Sequence, residues 1–448
     1  MPAFDPTPFR TRRDRLLAQM HARGGGVALL ATAPEQMRNR GSDHPYRHDS
    51  HFYYLTGFTE PEALVALVAA PDGSARSLLF CRARDEAREI WDGFRHGPEA
   101  ARATFGFDAA FAIGELDAQL PDLLANQPAL YAPLALRTPV EEPLARALAA
   151  LQSRARSGVR LPSTRHDLLP LLDEMRLVKD ATEIDTLRRA CRIAAAAHAR
   201  AMRSCRPGLR EYHLEAELLH AFRSAGAQAP AYNAIVAAGP NACVLHYRAG
   251  DAELRAGELC LIDAGCELDS YASDITRTFP VSGRFSAEQR AVYEMVLAAQ
   301  HAAIDATRPG VPFSAPHEAA VRVLTQGLID LKLLEGSVDG AIESGAYRQF
   351  YMHKTGHWLG LDVHDVGDYL DPAAPHTEDG RPPRLLTPGM VVTVEPGLYL
   401  RPAPNVPPAF EHIGVRIEDD ALITADGCEI LSADAPKHAD EIEALMRG

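Results

Sequence analysis

One stretch constrains the fold more than any other: ELCLIDAGCELDSYASDITRTF, residues 258–279, in which an apolar run, Leu259-Cys260-Leu261-Ile262, leads directly into Asp263. A second carboxylate, Asp274, follows within another strand-like segment. Burying an unpaired charge costs on the order of several kcal/mol, so two acids in apolar strands require a positive partner. The simplest arrangement is a β-hairpin whose arms carry the two acids and whose turn runs through Gly265 to Ser270. In its second arm Asp274, Thr276 and Thr278 share one face, while Ile275, Arg277 and Phe279 share the other.

The C-terminal part repeats the pattern. In MVVTVEPGLYL, Glu395 ends the apolar strand Met390 to Val394, and Pro396-Gly397 terminates the ladder. An acid behind such a run has few routes to water. In GVRIEDDALI, Arg416 and Glu418 lie on one face and Val415 and Ile417 on the other. Between these segments FYMHKTGHWLGLDVHDVG carries His353, His357 and His364. The i, i+4 spacing of the first two suits a helix, but Gly356 and Gly360 disfavour one, so loop and strand are expected.

Asp263, Asp274, Glu395 and Glu418 together bring four negative charges and His357 adds a neutral nitrogen; two divalent cations would cancel that charge. Oxygen-rich ligation with one imidazole and no thiolate suits manganese first, with zinc or cobalt as alternatives. A two-metal centre can carry a bridging hydroxide that attacks a carbonyl.

The 448-residue length predicts more than one domain. The first 170 or so residues alternate strands (Gly26 to Leu30, Ala63 to Ala70, Ser77 to Phe80) with helices (Arg10 to Arg23, Val140 to Leu151). A polar stretch around Arg154 to Gly158 approaches a boundary. Asp180-Ala181-Thr182-Glu183 then reads as a helix N-cap with a reciprocating acid, followed by Ile184, Leu187, Cys191 and Ala194 at helical spacing. Further helices fit Leu209 to Ser224 and Ser286 to Thr307. The expected domains are 1–171 and 172–448.

A formal charge of -14 excludes an obvious nucleic-acid or anionic-membrane partner, since both attract basic surfaces. The longest apolar runs, such as Ala63 to Ala70, are far short of the roughly 20 residues of a membrane span. No apolar signal core stands at the N-terminus, and the seven scattered cysteines contain no C-x-x-C pair. Both features point to a reducing cytoplasm.

The set DAG…SDITRTF, HxxxHWLGLDVHDVG, TPGMVVTVEPGLY and GVRIEDD resembles the creatinase or "pita-bread" metallopeptidases, specifically the Xaa-Pro aminopeptidase (aminopeptidase P) family. YRHDSHFYYLTGFTEPEALVAL, from Tyr46 to Leu67, resembles that family's non-catalytic first domain, and the likeness runs from about Phe9 to Ala444. The resemblance implies an α/β (α+β) protein: an N-terminal creatinase-type α/β domain, serving oligomerisation and substrate access, ahead of a pita-bread catalytic domain. It implies that Asp263 chelates one metal, that Asp274 and Glu418 bridge both, and that His357 and Glu395 complete the other. Glu395 then handles the proton of the attacking water, while His246, His353 and His364 line the substrate site and Arg416 supports a ligand carboxylate. Tyr399 and Trp91 become candidate substrate-groove residues, Trp91 through a neighbouring subunit of a homodimer or homotetramer. The implied substrates are peptides with proline at the second position.

One residue departs from the family pattern: Lys354 follows His353 where a small residue, often glycine, is usual. Three alternatives share the fold. A prolidase would be restricted to Xaa-Pro dipeptides, a methionine aminopeptidase usually lacks the long first domain, and a metal-free enzyme or peptide-binding module would have lost ligands that are all present here.

Overall fold

The computed structural model describes residues 4–134, 139–377 and 380–447. The expected domain ends at residues 1 and 448 lie outside the described residues. The chain divides into two compact units, Met1–Met175 and Arg176–Gly448.

The first unit opens with helix α1 (Thr7–Ala22) and builds a six-stranded sheet from β1 (Gly26–Ala31), β2 (Leu64–Ala69), β3 (Ala75–Cys81), β4 (Ala109–Ala112), β5 (Ala129–Ala132) and β6 (Thr164–Asp167). The spatial order is β4-β3-β2-β1-β5-β6. The strands β1, β2 and β3 pair antiparallel, while β4, β5 and β6 join in parallel. Continuous apolar runs suit strands covered on both faces, and Val27, Ala28, Leu29 and Leu30 are all buried. Two further helices in this unit are α2 (Glu86–Asp92) and α3 (Glu141–Ser153). The apolar side of α3, through Leu144, Ala147 and Leu151, packs into the core of the sheet.

The second unit begins its long helices with α4 (Ala181–Ser204). The cap forms as the sequence predicts: the Asp180 carboxylate accepts from the backbone of Thr182 and Glu183, and Glu183 Oε2 accepts from Asp180 N at 3.0 Å. Then follow α5 (Glu211–Ser224), α6 (Ala287–Ala306), α7 (Ala315–Asp330) and α8 (Ala439–Arg447). They cover strands β7 (Ile235–Ala238), β8 (Leu259–Asp263), β9 (Cys266–Leu268), β10 (Tyr271–Ala272) and β11 (Thr276–Pro280), and then β12 (Val391–Val394), β13 (Gly397–Leu400), β14 (Ile413–Arg416), β15 (Asp419–Ile423) and β16 (Cys428–Ile430).

The hairpin around Asp263 is real but longer-armed than its sequence suggests. Strands β8 and β11 pair antiparallel with Asp263 opposite Thr276, and β9 and β10 form a separate small ribbon beyond them. The turn is confined to Asp269 and Ser270, both with positive φ (46° and 72°), the geometry of a type I′ connection. Gly265 therefore does not open the turn; a Cβ there would sit 1.6 Å from the Ser273 carbonyl oxygen. Glycine lets the chain pinch immediately after Asp263, and Asp274 sits just ahead of β11 rather than within it.

A second difference concerns Pro396-Gly397. Gly397 opens β13 instead of closing the ladder. The pair β12/β15 ends at Val394 opposite Asp419, and β13/β14 resumes with Gly397 opposite Arg416. Continuing that register across the break sets Glu395 opposite Glu418, so both acids fall where the ladder is interrupted.

Candidate metal centre

The segment carrying His357 runs as an irregular strand along the edge of β12. Glu395 N donates to Thr355 O at 2.8 Å, Thr393 N to His357 O at 3.0 Å, and Leu359 N to Val391 O at 3.1 Å. Close approach again needs glycine: a Cβ on Gly356 would lie 2.1 Å from the Thr393 carbonyl oxygen. These bonds bring His357 beside Glu395, opposite the acids of β8 and β11.

The five expected ligands converge. Asp274, His357 and Glu418, each with 9% or less of its surface exposed, offer one ligand atom apiece within 4.8 Å of one another. His357 Nε2 lies 3.5 Å from Asp274 Oδ2 and 3.9 Å from Glu395 Oε1. Asp263 enters through Arg416 and Tyr232: Arg416 NH2 donates to Asp263 Oδ2 at 2.7 Å, and the Tyr232 hydroxyl meets Asp263 Oδ1 at 2.6 Å and also Asp274 Oδ1. All five side chains line one cavity of about 540 Å³.

The donor set fits divalent cations. His357 Nδ1 lies 3.0 Å from the Trp358 carbonyl, which can only accept, so Nδ1 carries a proton and Nε2 is the nitrogen turned toward the carboxylates, free to ligate a cation once its own proton leaves. Tyr232 has one proton for two carboxylate oxygens, which leaves one oxygen without a donor from it. Among the described residues, Arg416 is the one cavity-lining guanidinium that bonds any of these four carboxylates. Without further positive charge, burial pushes Asp274 up and Glu418 well above the carboxylate range, and takes Glu395 to about 7 despite His357 and Arg416. Burial opposes a proton on His357, but the hydrogen bond and charge of Asp274 outweigh it and raise the imidazole to about 9. An acid cluster that would otherwise have to gather protons is what a cation site presents.

The supporting residues separate into two groups. His246 and His364 are exposed on the cavity wall, with the His364 ring 4.0 Å from that of His357. His353 also lines the cavity but is largely buried, and burial holds its imidazole down at about 4. Its Nε2 meets the Tyr399 hydroxyl at 2.8 Å, and Arg416 NH1 donates to that hydroxyl at 2.9 Å. Tyr399 is fully buried and is not part of the cavity lining. The groove expected of it is corrected to a link in the chain His353–Tyr399–Arg416–Asp263. Trp91 sits on α2 in the first unit, 84% exposed, and is likewise absent from this lining.

Sequence reasoning missed Tyr232 and the full role of Thr276. The Thr276 hydroxyl donates to Glu418 Oε2 at 2.5 Å and receives Arg416 Nε at 3.1 Å. Its placement on the Asp274 face was the available signal; Tyr232, within AYNAIV, offered none.

A two-unit chain whose second unit gathers buried carboxylates and one imidazole in an oxygen-rich cavity is a metallopeptidase in architecture. Residues 185–425 match the metallopeptidase family M24, and residues 9–131 match the aminopeptidase P N-terminal domain. The chain belongs to the M24 metallopeptidase family, with the α/β first domain and pita-bread second domain of aminopeptidase P structures. It is 45% identical over 438 residues to the Xaa-Pro aminopeptidase of Escherichia coli, covering 98% of this chain and 97% of that one. It superposes on the Pseudomonas aeruginosa aminopeptidase PepP with a TM-score of 0.94 at 49% identity, covering 100% and 99% of the two chains. A zinc-substituted E. coli aminopeptidase P in complex with product matches at TM-score 0.94 and 44% identity, over 99% of each chain.

Proposed function

We propose that this chain is an Xaa-Pro aminopeptidase, hydrolysing the bond between an N-terminal residue and a following proline. The observation that carries the reading is the convergence of Asp263, Asp274, Glu395 and Glu418 around His357 in one cavity. Asp263, Asp274, His357, Glu395 and Glu418 would hold two divalent cations. Bound there, the cations would supply Lewis acidity toward the scissile carbonyl and ease deprotonation of water. Manganese suits the oxygen-rich donor set, and zinc or cobalt would also be accepted.

The chain's own residues do the rest. The acid cluster draws the free α-amine of the peptide, which fixes the register of cleavage at the first bond. Glu395, with Oε2 3.9 Å from His353 Nδ1 and Oε1 3.9 Å from His357 Nε2, is placed to take the proton of the attacking water. His246 and His364 donate toward the carbonyl oxygen as its charge grows, while His353, with Nδ1 bonded to the Lys354 carbonyl, shapes the wall beside Glu395. Arg416 holds Asp263 from behind, with Tyr399 and Thr276 fixing its guanidinium.

Oligomerisation through the first unit belongs to the same proposal. Ile90, Trp91 and Phe94 are 82%, 84% and 63% exposed, an apolar surface suited to cover by a second subunit of a dimer or tetramer, through which Trp91 would reach a neighbour's site. The free cysteines agree with a cytoplasmic setting.

The test is hydrolysis of Xaa-Pro-Xaa against Xaa-Ala-Xaa peptides with manganese. Cleavage of the proline peptide alone, with release of the first residue, is expected; cleavage confined to Xaa-Pro dipeptides would instead make it a prolidase.

A further inference from the structure

The cavity that holds the acid cluster is lined at other points by two exposed cations, Arg248 and Lys354. Among the described residues neither the Lys354 ammonium nor the Arg248 guanidinium makes a hydrogen bond or an ion pair, although four carboxylates line the same cavity. Their backbones, by contrast, are tied down. The Lys354 carbonyl bonds His353 Nδ1 at 2.7 Å, and the next residue, Thr355, accepts from Glu395 N at 2.8 Å. On the other loop the residues around Arg248 are held, with the Tyr247 hydroxyl and Gly250 N both donating to Glu211 Oε2 at 2.9 Å. Anchored stems with unattached cationic heads are poised for an anion that arrives with the substrate.

We propose that Lys354 and Arg248 form a carboxylate-recognising rim that selects peptides by a negative charge lying beyond the proline. The inference rests on the Xaa-Pro aminopeptidase reading and deepens it. A short peptide bound in this cavity has opposite charges at its ends: the amine is drawn by the acids, and a carboxylate further along is drawn by the rim. The carboxylate has two sources, the free C-terminus of a tripeptide or an acidic side chain at the third position. Both present the same group to the rim.

Solvent screens exposed ion pairs, so the effect is modest and salt-sensitive. The experiment compares kcat and KM for Ala-Pro-Ala, its C-terminal amide and Ala-Pro-Asp amide, in wild-type enzyme and in the double variant K354M/R248Q, at low and at molar salt. In wild type the kcat/KM ratio of free acid to amide exceeds one. In the double variant that ratio falls about two- to fivefold, or about 0.4–1 kcal/mol at 1.36 kcal/mol per tenfold. The change is carried by KM, shrinks at molar salt, and is reversed when position 354 carries arginine.

A gain for both acidic peptides over the plain amide supports the rim with either carboxylate source. A gain for Ala-Pro-Ala alone supports it with the C-terminus as the source. Equal kcat/KM for all three peptides in wild type, or an acid-to-amide ratio that the double variant leaves unchanged or moves through kcat, overturns the rim while leaving the aminopeptidase reading intact. Failure to cleave any of the three overturns both.

Discussion

Glu418 and Asp419 are neighbours in the chain, both are buried, and they meet opposite fates. Asp419 takes charge-assisted bonds from Arg277 NH2 and Lys437 Nζ, each at 2.7 Å, and further bonds from Gln300 and Ser432. Burial alone would raise its carboxyl, but Arg277 and Lys437 prevail and hold it below the ordinary range. Glu418 has the Thr276 hydroxyl and otherwise mainly other carboxylates, and burial drives it far the other way. Alternation along a strand creates the contrast, because successive side chains point to opposite faces. The neighbouring strand β11, touching this segment through Glu418 N to Thr276 O at 3.1 Å, splits in the same manner, with Arg277 serving Asp419 while Thr276 serves Glu418. At this pair, among the described residues, the fold bonds two cations of its own to Asp419 and none directly to Glu418.

The largest effect that tests this contrast is on turnover. Replacing Glu418 or Asp274 with alanine should lower kcat/KM by on the order of 10³-fold or more, matching the several kcal/mol that metal ions contribute to charge stabilisation. Elemental analysis should show metal lost in the same variants, with the far-ultraviolet spectrum retained. Full activity in Asp274→Ala would remove the acid cluster from the chemistry altogether.

On the opposite face the expectation is reversed. Asp419→Ala strands Arg277 in the interior, and breaking a buried pair costs about 3–5 kcal/mol. Urea denaturation should register that loss with or without a chelator. If Glu418→Ala, measured on the chelated protein, destabilises as much as Asp419→Ala, the two acids are alike and the comparison fails.

A finer test lies in Tyr232. Tyr232→Phe keeps the ring and deletes the one proton shared between Asp263 and Asp274. Loss of such an orienting bond lowers metal affinity by about 10–100-fold. A competition titration with a chromogenic chelator reads it directly, and an unchanged affinity would make Tyr232 mere packing.

The acids themselves were legible because an ionisable residue at the end of an apolar run contradicts its own strand, and His357 because glycines on its flanks excluded a helix. What could not be read was the identity of each counter-charge. Lys437 reaches Asp419 from beyond β16, and Tyr232 reaches Asp263 from the segment before β7, so neither is signalled by local spacing. The hairpin turn was misplaced for a related reason. Gly265 looks like a turn residue but serves a close backbone approach, whereas the positive φ values fall on Asp269 and Ser270, which carry only a weak sequence signal for such a turn. Patterning along the chain reveals which residues are out of place; only the tertiary arrangement reveals what compensates them.

The smallest effect sharpens the contrast most, because its sign alone decides. Glu418→Gln preserves shape and deletes the charge. In chelated protein the amide relieves repulsion among the neighbouring carboxylates, so stability should hold or rise by up to about 1 kcal/mol. With saturating manganese the order reverses, since binding to the native state stabilises wild type by RT ln(1 + [L]/Kd) and the variant gains less. Asp419→Asn, which weakens pairs the fold already contains, should destabilise under both conditions. A crossing of the Glu418→Gln and wild-type melting temperatures as manganese is added, with no crossing for Asp419→Asn, is the outcome that separates an acid awaiting a cation from an acid already matched by one.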